Sequence, residues 1–223
     1  MSSSYWLFKD TPAQREDFTT LTGNASFPSK FCNHQWLENV PVCEKAIELL
    51  APIKQYVAAV TAKKCTDLQT KSYRIIAENV KDQLLPAKLA FFMSVAKQIQ
   101  PFLVSYQTDS PMIPFLYSDL SSLLRSVMEH FVKPALLTAA SNVQIVDMTR
   151  SQNFCDYTKI DVGFSANRIC KDHLSTKKQH LEFRMERGAF LQTLVQKLLS
   201  RSPLNYKMAR YMAAFASMTN GIN

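Results

Sequence analysis

The chain has 223 residues, of which 47% are hydrophobic and 20% charged, and it carries a formal net charge of +8. That balance excludes wholesale disorder, and the length is enough for a sizeable core, in one domain or in two closely packed helical subdomains; one is expected. No apolar run is long enough to cross a bilayer, since even Leu89 to Leu103 is broken by Ser94, Lys97, Gln98, Gln100 and Pro101.

Four glycines stand against ten prolines, and no Asn-Gly or Asp-Gly pair occurs before Asn220-Gly221, so hairpin signals are missing. The expected fold class is all-α, an irregular antiparallel helical assembly with one long polar connection. Residues 1–30 read as a capped helix and a linker. Thr11-Pro12-Ala13-Gln14 has the form of a capping box with proline in the first turn, and Gly23 is placed to end that helix.

Residues 31–140 read as the helical core. A helix starting near Trp36 is expected to kink or break at Pro41 and again near Pro52, with Ile53, Tyr56, Val57 and Val60 continuing an apolar face. From Lys71 to Leu85 the set Tyr73, Ile76, Val80 and Leu84 recurs at three and four residues, which places it on one helix face. After Pro86 a thick stripe of Leu89, Phe92, Met93, Ala96, Ile99, Phe102, Leu103 and Tyr106 predicts a central helix. Ser110-Pro111 predicts another cap, followed by Leu116, Leu120, Leu123, Leu124, Val127 and Phe131 up to Pro134.

Residues 141–175 read as an irregular connection with at most short helices, in which Val143, Ile145 and Val146 fit a short strand. Residues 176–223 return to helical periodicity, as C-terminal helices packing on the core. Leu181, Met185, Phe190, Leu194, Leu198 and Leu199 form the expected stripe, Pro203 closes it, and a last helix spans Leu204 to Met218.

The five cysteines are odd in number and widely spaced, and Met1 to Phe8 has no long apolar run after a basic start. A reduced intracellular compartment, nucleus or cytoplasm, is expected.

The segment Lys30-Phe31-Cys32-Asn33-His34-Gln35-Trp36-Leu37-Glu38-Asn39-Val40, running into Pro41-Val42-Cys43-Glu44-Lys45-Ala46-Ile47-Glu48-Leu49-Leu50, resembles the Arg-Trp segment of hAT-type transposases and the transposon-derived proteins related to them. In that family the segment follows the second catalytic aspartate of an RNase H-like core and leads into an all-helical insertion domain. The resemblance implies that this chain is mostly that insertion, with the acidic core outside it. Looser family-like strings are Tyr106-Gln107-Thr108-Asp109, Asp161-Val162-Gly163-Phe164 and Leu181-Glu182-Phe183-Arg184-Met185.

Gln35 stands where the family has arginine, so a fixed charge suited to phosphate is lost. The resemblance gives Trp36 the role of stacking on an unpaired base near a transposon end. The plainer reading makes Trp36 the first anchor of a buried stripe through Val40, Cys43, Ile47 and Leu50.

Cys32 with His34, and Cys170 with His173 and His180, lack the close paired spacing of a zinc site and read as thiols beside surface histidines. Asp147, Asp156 and Asp161 read as solvated loop carboxylates. No phosphate loop, Gly-x-Ser-x-Gly elbow or His-Glu-x-x-His helix occurs. No catalytic residue, metal or cofactor is therefore assigned, and the family's acidic triad would not be contained here.

The pI near 9.3 favours a polyanionic partner. Basic residues fall at Lys63, Lys64, Lys177, Lys178, Arg184, Arg187, Lys197, Arg201, Lys207 and Arg210, with Tyr206 and Tyr211 interleaved. Lys177, Arg184 and Arg187 would flank the stripe of the Thr176–Ser202 helix and follow a phosphate backbone, with Gln35 and Trp36 as the other candidate DNA contacts. The expected function is a catalytically inactive, transposon-derived helical module that binds DNA weakly through basic faces. Its rivals are a protein-interaction or homo-oligomerisation scaffold, and a transposase fragment that works only beside an acidic core.

Overall fold

A computed structural model describes residues 1–32, 36–65, 70–109, 112–173 and 176–219, with side chains outside 36–38, 173 and 215–219. Among them the chain is helical, and the one β-type pairing is an isolated antiparallel bridge between Val132 and Phe154. No described helix is long and apolar enough to cross a membrane. The chain divides into two compact units, Met1–Lys97 with Gly163–His173, and Gln98–Val162 with Leu174–Asn223.

The first unit is built on α1 (Ser2–Phe8), α2 (Pro12–Thr22), α3 (Trp36–Glu48), α4 (Leu50–Thr61) and α5 (Lys71–Asn79), with α9 (Phe164–His173) added from later in the chain. Gly23 ends α2 as expected: at φ +66° it adopts the left-handed conformation that glycine tolerates, and its N–H donates to the Thr19 carbonyl at 2.9 Å. The capping box does not form. The Thr11 hydroxyl instead donates to the Leu7 carbonyl at 2.8 Å, because α1, which the sequence reading passed over, ends just upstream. Arg15 reaches back to the carbonyls of Phe8 and Lys9, satisfying acceptors that the end of α1 leaves open.

Those short helices are held by an aromatic cluster. Phe18 lies 5.0 Å from Phe8, 5.9 Å from Phe27 and 5.7 Å from Tyr56 between ring centroids. Ile53, Tyr56, Val57 and Val60 of α4 are buried as the periodicity predicts, as are Tyr73 and Ile76 of α5. The proline-linked break falls at Leu49, between α3 and α4, while Pro41 is accommodated within α3 and Pro52 within the first turn of α4. Buried Asn39 fixes the entry to α3, its amide accepting from Cys32 N–H at 3.0 Å and donating to Cys32 C=O at 2.6 Å.

The unit boundary falls inside α6 (Leu85–Ser105). Its buried face carries Ala87, Ala90, Phe91, Val95, Ala96 and Ile99, a rotation from the expected stripe, whose Leu89, Phe92, Met93, Phe102, Leu103 and Tyr106 are half-buried. Three of these buried residues are alanines, whose small side chains weigh little in a hydropathy pattern.

The second unit contains α7 (Ile113–Met128), α8 (Pro134–Ala139), α10 (Lys177–Arg201) and α11 (Lys207–Thr219). The Ser110-Pro111 cap lies outside the described residues. Leu120, Leu123, Leu124 and Val127 of α7 are buried as predicted, and Met128 joins them. The short strand expected at Val143–Val146 is instead a 3₁₀ turn over Val143–Ile145, capped by Asn142 accepting from Gln144 N–H at 3.0 Å. The connection also contains ten-residue α9, longer than the short helices expected there.

The face of α10 differs as well. Phe183, Gly188, Leu191 and Val195 are buried, while Leu181 and Met185 of the expected stripe are exposed. Gly188 explains the shift, because a Cβ there would sit 2.5 Å from the Cδ1 of buried Ile160. Gly188→Ala therefore sets about 1 kcal/mol of gained helix propensity against about 1–3 kcal/mol of overpacking. The expected outcome is a net loss near 1 kcal/mol in a urea titration, reversed when Ile160→Val is added; a more stable single variant would refute this packing.

Candidate nucleic-acid interface

Of the five residues singled out from sequence, Gln35 lies outside the described residues, as does the side chain of Trp36, which opens α3. Lys177 is the exposed first residue of α10, after Thr176, whose hydroxyl caps the helix by accepting from Gln179 N–H at 3.2 Å. Arg184 donates to the Ile160 carbonyl and is part-buried. Arg187 pairs with Glu186 at 2.7 Å and lies 5.3 Å over the Phe183 ring, with only 18% of its side chain exposed. Both arginines are thus engaged by their own unit.

The other end of α10 is different. Lys197 and Arg201 are exposed and, four residues apart, share a helix face. A turn at Pro203–Asn205, anchored by buried Leu204, leads into α11, where Lys207 and Arg210 are exposed as well. From Gly188 to Asn223 the sequence contains no Asp or Glu. Lys197, Arg201 and Lys207 have no acidic partner among the described residues. This group stands at the far end of a 25-residue helix from Lys177, about 36 Å away at about 1.5 Å per residue, so the two do not make one site.

Arg210 is positioned by its surroundings. Its guanidinium lies 5.9 Å over the Tyr117 ring and 3.5 Å from the side-chain Oε1 of Gln144, while the Gln144 Nε2 donates to the Asn205 Oδ1 at 2.7 Å. One glutamine therefore ties both the turn and the arginine. Tyr206, Met208 and Tyr211 are exposed by 69%, 73% and 65%, interleaved with these cations. The sequence marks the four cations and both tyrosines, though not Met208, while the expected contacts Lys177, Arg184 and Arg187 fall on the first half of α10. The signal that separates the halves is the acid-free run after Glu186.

The loop carboxylates have local work. Asp147 accepts from Thr149 N–H at 2.9 Å and its hydroxyl at 2.6 Å, and Asp156 accepts from Thr158 in the same two ways at the same distances. The threonine bonds hold both carboxyls below the ordinary aspartate value, so the turns persist in mild acid and loosen as pH falls through the lowered values. Asp161 lies 3.5 Å from His130. Among the described residues no three His, Cys, Asp or Glu side chains are grouped so as to hold a metal ion.

Searches of protein-family models, curated proteins and solved structures give no match to this chain.

Proposed function

We propose that this chain is a non-catalytic, transposon-derived helical module, similar to the insertion region of hAT-type transposases, that holds DNA by phosphate contact from the C-terminal end of α10 and the start of α11. The observation that carries the reading is the set Lys197, Arg201, Lys207 and Arg210: exposed, and drawn from a stretch with no acidic residue to oppose them. Such a patch attracts polyanions by releasing condensed counterions, a term that depends on phosphate and not on base sequence. The commitment of Asp147 and Asp156 to threonine turns supports the non-catalytic part, since each carboxylate already has donors.

The test is a salt titration of duplex binding. Four phosphate contacts give a log–log slope of roughly −3.6, and each of Lys197→Ala, Arg201→Ala and Lys207→Ala is expected to reduce it by about one unit. Because these side chains are exposed, thermal stability should be unchanged in all three. Arg184→Ala should do the reverse, lowering stability with the slope intact. Slopes that ignore the first three substitutions, or absence of binding at low salt, would reject the proposal and favour an interaction scaffold.

A further inference from the structure

Resting on that reading, we infer that the Tyr206–Tyr211 surface selects unpaired nucleotides, so that the favoured ligand of this site is single-stranded nucleic acid. Duplex phosphates explain the cations but give the exposed rings nothing to do. An aromatic ring gains from a base only when it reaches the base's face, and in a duplex those faces are covered by stacking. In a single strand they are open.

The rings are displayed on a held framework. Leu204 is buried beneath the turn, the Tyr206 N–H donates to the Pro203 carbonyl at 2.9 Å, and Gln144 ties Asn205 from the side. Tyr206 is thus presented from an anchored turn, with nearly seven-tenths of its area in solvent. On α11, Tyr211 lies three residues from Met208 and four from Lys207, so the ring has a polarizable sulfur and a cation as its two neighbours on the helix surface. Neither tyrosine has a ring contact or a hydroxyl hydrogen bond among the described residues. Cations that track a backbone beside rings that accept any base make a sequence-tolerant single-strand site.

The experiment compares an oligothymidylate of roughly 16 nucleotides with a duplex of equal length, by fluorescence anisotropy across salt. The full chain is expected to prefer the single strand. Tyr206→Ala and Tyr211→Ala should each weaken it by about 5- to 150-fold while leaving duplex affinity, salt slope and thermal stability unchanged, and Tyr211→Phe should retain the binding. Duplex binding that equals or exceeds single-strand binding, or tyrosine variants that alter both ligands equally, would overturn this inference and leave the phosphate-contact reading standing. Failure to bind either ligand at low salt would overturn both.

Discussion

Phe18→Ala is expected to lower stability by about 3–5 kcal/mol, the range for deleting a fully buried aromatic side chain. Phe18 has no exposed area, and its ring meets Phe8, Phe27 and Tyr56, so its removal strips one side from every other ring in the cluster. Against a typical total of about 5–15 kcal/mol, such a loss leaves the first unit close to unfolding. The neighbouring change Tyr56→Phe should have the opposite sign. The Tyr56 hydroxyl is buried with no hydrogen-bond partner among the described residues, so removing it deletes a desolvated polar group, worth about 1–3 kcal/mol, and keeps the ring. Denaturant midpoints for the pair give the test: a Phe18→Ala loss below about 1 kcal/mol, or a destabilised Tyr56→Phe, would show that the cluster is not packed as described.

Alkali should destabilise the protein by way of Cys43. Its thiol is fully buried and donates to the Leu89 carbonyl at 3.5 Å, and burial raises its pKa from 9.0 to about 11. The folded state therefore keeps a proton that the unfolded chain gives up earlier. The contribution is fully present below pH 9.0 and is lost as pH rises to about 11, amounting to about 2–3 kcal/mol at about 1.4 kcal/mol per pH unit. Tyr56 and Tyr106, both raised to about 12, extend the decline above pH 10.0. Melting temperatures between pH 8 and 11 should fall, with a shallower slope between 9 and 11 in Cys43→Ala; identical slopes in the two proteins would remove Cys43 as the cause.

The sequence made the helical class legible because its punctuation is local. Gly23, Thr70 and Thr176 end or begin helices through bonds to residues three or four away, and α4, α5 and α7 bury most of the positions that their spacing selects, with Val80, Leu84 and Leu116 half-buried. What it hid depends on contacts made at a distance. The face of α6 differs from the expected one because buried alanines define part of it, and that of α10 because Ile160 approaches Gly188, which is not written in hydropathy. The engagement of Arg184 with Ile160 joins residues 24 apart, so its charge looked available in the sequence. Lys197, Arg201, Lys207 and Arg210 were visible, yet only the fold shows all four exposed about one anchored turn.

The two aspartate–threonine turns make the connection between α8 and α9 sensitive to length more than to side-chain identity. In each, one carboxylate oxygen spans two residues to meet an N–H and a hydroxyl, so the turn depends on the count of intervening residues. Asp→Asn would keep the acceptor and the bend. Adding or deleting a single residue at position 148 or 157 would shift the threonine out of reach, and with it the registration of Ile160 under Gly188. Drift in this segment should therefore proceed by replacement, while insertions and deletions are confined to the stretches outside the two turns.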